Sequence, residues 1–142
     1  MGVRVRLRIR RGKREIESSA LVNTGFEAED PEILLPAKLA EELGLYPPGT
    51  GAIIQEYDVV GGVAILVKCS ERIHVEVEAE DRRVAFIEAV PVVSAGESEV
   101  LISDVLASAL KLSIVDPAKG LWRFRDDPPD MIRRSVAPTY WE

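Results

Sequence analysis

The sequence predicts a mainly β protein with two short helices, and three observations lead to this fold class. Apolar and polar residues alternate along most of the chain with the two-residue period of half-buried strands. Short turns rich in glycine and proline separate these stretches. Only two segments carry apolar residues at helical spacing. A length of 142 residues is enough for one domain with a sizeable core.

The first two predicted strands form a hairpin. In Val3–Ile9 every second residue is apolar, and the residues between them are arginines. Gly12 permits a tight turn, and Glu15–Val22 is predicted to return as the second strand. The arginine face could bind phosphates. The 24 acidic residues of the chain instead favour a face that is solvated or paired with carboxylates.

A helix is predicted next, over Leu34–Leu43, after the acidic loop Glu27–Pro31. Leucine recurs at every fourth position from Leu35, which is the spacing of one helix face. Pro36 suits the first turn of this helix, and Gly44 supplies its C-terminal stop.

Four further strands are predicted in the middle of the chain. The first two join through a tip at Gly61 and Gly62, because paired glycines permit a sharp turn. The other two join through a turn at Glu80–Arg82. The predicted strands are Ile53–Tyr57, Val63–Lys68, Ile73–Val77 and Arg83–Val93.

The last predicted elements are a strand, a short helix and a closing hairpin. Ser103 is a good N-cap, with Asp104 favourably placed in the first turn of the helix. The proline-rich segment Asp126–Asp130 then breaks regular structure, so we expect a domain over residues 1–125 and a tail over residues 126–142. These elements are the strand Val100–Ile102, a helix with the apolar stripe of Val105–Leu110, and the strands Ser113–Asp116 and Leu121–Phe124 around the turn Pro117–Gly120.

Composition argues against several kinds of function. The formal net charge of −6 disfavours a nucleic-acid partner. No apolar run reaches the length of a membrane span, and arginines interrupt the N-terminal apolar residues. We therefore expect no membrane partner and a cytoplasmic location. Cys69 is the single cysteine, which excludes an internal disulfide and a multi-cysteine metal site within one chain.

Amide side chains are scarce, because Asn23 and Gln55 are the only two in the chain. This scarcity, together with abundant Glu and Arg, is typical of a thermophile. Asn23 stands where the apolar run of Leu21 and Val22 meets Thr24 and Gly25. Taken alone, this could be an ordinary strand-ending turn, since Asn and Gly are common turn residues.

Three segments in this order resemble the retropepsin-like aspartic proteases, and most closely the archaeal and bacterial branch whose motif is Asp-Thr-Gly-Phe. They are Ala20–Phe26, the glycine-tipped hairpin, and Val100–Leu106 before a late helix. The resemblance covers roughly residues 3–124. The chain departs from the family at Asn23, where the catalytic Asp is expected, and at Ser103, where relatives commonly have Gly.

The resemblance implies a small closed acid-protease-like barrel with one lobe per chain, assembled as a homodimer. In such enzymes two aspartates share the site at the dimer axis, and one of them activates the water that attacks the peptide carbonyl. Asn23 would mark the catalytic position. Thr24 would brace the loop across the axis, and Gly25 would let the backbone pass close by. The resemblance implies no metal or other cofactor.

It also implies a flap, Val59–Val63, that closes over an extended peptide or an unfolded protein. Phe26 would contact the substrate from beside the catalytic loop. Val60, Gly61, Gly62 and Val63 would contact it from the flap.

The expected function is an aspartic endopeptidase in an inactive form, because an amide cannot accept the proton of the water near neutral pH. An aspartate changed to Asn23 to stop self-cleavage is one interpretation, and natural loss of activity is another. A non-catalytic peptide-binding or assembly module with a native Asn23 is the alternative. A third possibility is pairing with an Asp-bearing partner subunit. The tail from Asp126 could bind in the cleft as a self-inhibitor, close the dimer interface, or remain unattached.

Overall fold

The computed structural model describes residues 2–59 and 61–142. In these residues the chain is mainly β with two short helices, which confirms the predicted fold class. The strands are β1 (Val3–Arg11), β2 (Arg14–Val22), β3 (Glu32–Pro36), β4 (Ile53–Val59), β5 (Gly62–Lys68), β6 (Ile73–Glu78), β7 (Arg83–Ser94), β8 (Val100–Ile102), β9 (Leu112–Asp116), β10 (Leu121–Phe124) and β11 (Arg133–Arg134), and the helices are α1 (Ala37–Glu42) and α2 (Asp104–Ala109). Neither helix in this part of the chain has the length and apolar character needed to cross a membrane.

Six of the described strands close into a barrel in the order β3, β8, β2, β1, β6 and β7. Strand β3 completes the ring because it pairs on both sides, antiparallel with β8 and parallel with β7. Leu34 lies opposite Leu101 in the first pairing and opposite Val92 in the second. Every residue of β3 is buried, so the strand that closes the barrel is also part of its core.

The hairpin of β1 and β2 forms as predicted. The apolar residues of β1 point into the barrel, and Leu7 and Ile9 are fully buried. Gly12 forms the turn with a φ of 59°, which glycine adopts without strain. On the other face, the Arg8 guanidinium lies among four carboxylates, those of Glu15, Glu17, Glu76 and Glu78. The predicted pairing of the arginine face with acids is therefore confirmed at Arg8.

The hairpin of β4 and β5 projects from the barrel. Strand β5 pairs with β7 only near its end, at Val67 and Lys68. Beyond these two residues, the hairpin has no other strand beside it in the described part of the chain. Ile54 and Ile65 are 76% and 68% exposed, which is unusual for large apolar side chains. This projection leaves open space between the hairpin and the barrel.

The helix predicted over Leu34–Leu43 begins later than expected. Its first residues belong to β3, and α1 starts at Ala37, directly after Pro36. A strand that is buried on both faces has no polar alternation, so its leucines fit a helical spacing equally well. Pairing with β7 and β8 decides in favour of the strand.

The C-terminal tail packs against its own barrel. Thr139 and Ser19 exchange two hydrogen bonds, each from the backbone N–H of one residue to the side-chain oxygen of the other. Trp141 donates its indole N–H to Ser18 Oγ at 2.9 Å. These contacts lie beside the part of β2 that precedes its pairing with β8, which begins at Ala20. The tail therefore covers a stretch of strand edge.

An ion cluster fixes the start of the tail. The Asp127 carboxylate is buried and accepts hydrogen bonds from Arg133 Nε at 2.9 Å and from the Phe124 N–H at 2.8 Å. Arg133 also pairs with Asp81, and Arg82 Nη1 lies 3.3 Å from Asp127 Oδ1. The hydrogen bond from Arg133 is the main cause that lowers the pKa of Asp127 to about 2.

We expect Asp127→Asn to lower the melting temperature at pH 7 by roughly 5–10 °C, because it weakens charge-assisted hydrogen bonds in a buried site. The folded-state pKa of Asp127 lies below its usual value. The carboxylate therefore stabilises the fold above about pH 4, and this contribution is lost as the pH falls towards about 2. Melting curves between pH 7 and pH 2 measure both effects.

The matched control is Asp130→Asn. Asp130 is exposed and makes no hydrogen bond or ion pair with the described residues. An equal loss of stability in both variants, or the full acid sensitivity retained in Asp127→Asn, would contradict the role of the cluster.

Candidate functional site

Asn23 lies directly after β2, where this strand runs parallel to β8. Val22 is paired with Ile102, and the Asn23 N–H donates to the Ile102 carbonyl at 3.4 Å. The paired residues Ala20–Val22 and Val100–Ile102 are all apolar, and both strands are part of the barrel wall. The pairing therefore fixes where the backbone leaves the barrel, and with it the position of Asn23.

The loop that begins at Asn23 is a tight turn. The Gly25 N–H donates to Asn23 Oδ1 at 3.0 Å, and the Phe26 N–H donates to the Asn23 carbonyl at 3.0 Å. A Cβ atom on Gly25 would lie 3.3 Å from Asn23 Oδ1, which is a crowded contact. Thr24 and Gly25 are exposed, while Asn23 and Phe26 are half-buried. The turn thus presents Thr24 and Gly25 at the surface.

Ser103 supports the starts of β3 and α2, which lie next to this loop. It is fully buried and is the N-cap of α2, where its Oγ accepts a hydrogen bond from the Leu106 N–H at 3.2 Å. The same Oγ accepts from the Glu32 N–H at 3.0 Å, and the Ser103 N–H donates to the Glu32 carbonyl at 3.0 Å. The predicted capping role is confirmed, and Ser103 also joins the start of β3 to the end of β8.

Asp104 connects the helix to the candidate site. Its backbone N–H donates to the Phe26 carbonyl at 3.0 Å. Its carboxylate Oδ1 accepts from the Ala28 N–H at 3.1 Å. Two hydrogen bonds therefore anchor the chain just after the Asn23 turn to the first residue of α2.

A cleft of about 1270 Å³ lies between this loop and the β4–β5 hairpin. Asn23, Gly25 and Phe26 line it from the loop, and Tyr57 and Leu66 line it from the hairpin. The Phe26 and Tyr57 rings meet edge to face with their centroids 6.2 Å apart. This is a favourable aromatic arrangement, and it joins the two sides of the cleft across an apolar floor.

A buried acid lies beside this floor. Glu32 is 2% exposed, and its carboxylate accepts a hydrogen bond from the Tyr57 hydroxyl at 2.9 Å. Lys68 Nζ lies 2.9 Å from Glu32 Oε2 and 3.0 Å from Asp30 Oδ2. These two carboxylates raise the pKa of Lys68, and burial followed by the bond to Glu32 raises the pKa of Tyr57. The cluster holds the hairpin to the start of β3 at two points, through Lys68 at the base of the hairpin and Tyr57 near its tip.

The cluster of Glu32, Tyr57, Lys68 and Asp30 was not predicted from the sequence. Its one signal is Glu32 at the head of the apolar run Ile33–Leu35, where a carboxylate would be buried and in need of a partner. Nothing in the sequence identifies Tyr57 and Lys68 as those partners, because they come from two strands that lie elsewhere in the chain.

The structure brings only some of the predicted site residues together. Asn23, Gly25 and Phe26 line the cleft, and exposed Thr24 follows Asn23 in the same turn. The exposed residues Gly61, Gly62 and Val63 lie at or next to the hairpin tip and do not line the cleft. Val60 lies outside the described residues. Val59, at the start of the predicted flap, does line the cleft, whereas the cleft residues Tyr57, Ala64 and Leu66 of the same hairpin were not predicted.

Comparison of the chain with known protein families and with curated proteins found no match. The interpretation of the site therefore depends on its own geometry. That geometry combines a loop fixed by barrel pairing, a projecting hairpin and an open cleft between them.

We expect Ser103→Ala to reduce the free energy of unfolding by roughly 2–4 kcal/mol, because it removes the N-cap and leaves the Glu32 N–H buried without its acceptor. Chemical denaturation, monitored by circular dichroism, measures the loss of unfolding free energy. Ser108→Ala is the control, because Ser108 is exposed near the end of α2 and its side chain makes no hydrogen bond with the described residues. A Ser103→Ala variant as stable as the control would contradict the supporting role.

Proposed function

We propose that the chain is one subunit of a dimeric scaffold of the aspartic-peptidase type, with Asn23 at the catalytic position. In this form the protein binds extended peptides and does not cleave them. The observation that carries the proposal is the Asn23-Thr24-Gly25 turn, which leaves the barrel beside a cleft bordered by a projecting hairpin.

The proposed chemistry needs two carboxyl groups. Two aspartates close together cannot both ionise, so one is a carboxylate and the other stays protonated. The carboxylate accepts a proton from the water that attacks the peptide carbonyl, and the protonated partner donates to the carbonyl oxygen. The Asn23 amide can hydrogen-bond in this place, but it cannot accept a proton from water.

A second subunit would supply the other half of such a site. The chain carries this motif once, so a two-fold axis near Asn23 would place two equivalent residues side by side. The exposure of Thr24 and Gly25 supports this arrangement, because both are free to contact a second copy. The hairpin would then close over a peptide, with main-chain hydrogen bonds in the manner of strand addition.

The second candidate is a native peptide-binding or assembly module without catalysis. The observation behind it is the bond from the Gly25 N–H to Asn23 Oδ1, because the amide satisfies this turn by itself. An aspartate oxygen would accept the same bond, so activity decides between the two candidates. Pairing with a different subunit that carries an aspartate is a third candidate. The same experiment distinguishes all three.

We expect Asn23→Asp to gain peptidase activity, because it restores a group that can accept the proton of the attacking water. The measurement is cleavage of an unfolded protein at elevated temperature, from acid to neutral pH, with and without a pepstatin-type inhibitor. A bell-shaped pH profile is expected from a pair of coupled carboxyl groups.

The unchanged protein and Asn23→Ala are the controls, and neither should cleave the substrate. A folded, dimeric Asn23→Asp protein without activity would reject the peptidase proposal and favour the binding module. Activity that appears only after mixing the unchanged chain with an Asp-bearing subunit would favour the third candidate.

We also expect the protein to sediment at twice its monomer mass of 15.7 kDa. Thr24→Arg should produce monomers and abolish the activity of the Asn23→Asp form, because it places a large charge at the proposed axis. Thr50→Arg is the control, since Thr50 is also exposed but lies outside the candidate site. A Thr24→Arg protein that remains dimeric would place the axis elsewhere.

A further inference from the structure

We propose that the cleft selects peptides rich in lysine and arginine. This inference depends on the proposed function only in taking the cleft as a peptide site, and it does not need catalysis. Its basis is the charge of the cleft wall. Eight acidic residues line the cleft, namely Glu27, Glu29, Asp30, Glu32, Glu56, Asp58, Glu97 and Asp104. Glu56 and Asp58 alternate along β4 with the cleft-facing Tyr57 and pair with Ile65 and Val63, so their side chains lie on the outer face of the hairpin and six carboxylates remain for the cleft.

The basic residues of the protein, apart from Lys68, are not among the described residues that line this cleft. Among the described residues, no arginine lines this cleft, and Lys68 is its one cation. Lys68 is already engaged, because its ammonium contacts both Asp30 and Glu32. On the barrel wall, in contrast, the glutamates around Arg8 form ion pairs with Arg8 itself and with Arg6 and Arg83. The cleft therefore keeps an excess of negative charge that the fold itself does not use.

Three of these six carboxylates make no hydrogen bond or ion pair within residues 2–59 and 61–142. They stand on two different parts of the chain beside the cleft. Two lie on the loop after Phe26 and one on the connection between β7 and β8; these are Glu27, Glu29 and Glu97.

The distribution of these acids favours a long polycation over a single metal ion. Within the described residues, no group of three or more His, Cys, Asp or Glu side chains could hold a metal. Charges spread along a cleft instead match cations spread along an extended chain. A cleft lined by one sign of charge also concentrates the field and attracts ligands of the opposite sign.

The apolar floor suits the same ligands. Leu34 and Leu66 form a small core cluster, and Phe26, Tyr57 and Leu101 pack against it. Lysine and arginine have long apolar stems that can cover such a surface while their charged ends reach nearby carboxylates. A peptide that alternates basic and apolar residues would therefore use both the floor and the rim.

The experiment measures binding to the unchanged Asn23 protein, so that cleavage does not disturb the equilibrium. The probe is a short fluorescein-labelled peptide of alternating lysine and leucine, compared by anisotropy with versions in which glutamine or glutamate replaces lysine. We expect the lysine peptide to bind about tenfold or more tightly than the glutamine peptide, with the difference reduced at high salt.

Two matched variants locate the effect. The first neutralises the three unpaired cleft acids, and the second neutralises three exposed acids outside the cleft. Both change the formal charge by the same amount, so a general charge effect would be equal in the two. The first set is Glu27→Gln, Glu29→Gln and Glu97→Gln, and the second is Glu41→Gln, Glu42→Gln and Glu80→Gln.

Loss of the lysine preference in the first variant alone would support the proposal. Equal binding of lysine and glutamine peptides, no peptide binding at all, or equal loss in both variants would overturn it. Asn23→Asp cleavage is scored separately. Cleavage without a preference for basic peptides would leave the peptidase proposal intact and reject the proposed selectivity. Selective binding of basic peptides without any cleavage would support the selectivity and reject the peptidase proposal.

Discussion

The reciprocal hydrogen bonds between Ser103 and Glu32 hold together the parts of the chain that meet at the cleft. One Oγ atom accepts from the start of β3 and from the first turn of α2, while the Ser103 N–H returns a bond to Glu32. Asp104 then fixes the loop after Phe26. Because Ser103 and Glu32 are buried, each bond between them would be costly to lose. The position of the Asn23 turn depends on this small set of contacts.

The same region shows how one buried acid can organise both fold and site. Glu32 begins a core strand, yet its carboxylate contacts Tyr57 and Lys68 from the hairpin. The barrel and the projecting hairpin are thereby tied together under the cleft. Elsewhere the charged side chains form compact clusters, as around Arg8 and Asp127. The cleft is different because the carboxylates of Glu27, Glu29 and Glu97 have no hydrogen-bond or ion-pair partner among the described residues.

Much of the fold could be predicted from the sequence because it depends on local patterns. Strict alternation in Val3–Ile9 defines a strand with one buried face, and Ser103 has the chemistry of an N-cap. The strand inside Leu34–Leu43 could not be predicted, since burial on both faces removes the alternation. For the site, the Asn23 turn was visible at the end of a strand. The contact between Glu32 and Lys68 was not, because barrel closure alone brings them together.

The double pairing of β3 has a consequence for how the protein folds. The hairpins of β1 with β2 and of β4 with β5 join neighbouring segments, whereas Glu32 must find Val90 and Ile33 must find Ile102. Pairings between residues so far apart in the sequence form slowly, because a long loop must close, at a cost in conformational entropy, before the strands can make their hydrogen bonds. We therefore expect a slow folder in which the local hairpins exist before the ring is complete. The cleft therefore forms only when β3 has paired with both β7 and β8 and the barrel is closed.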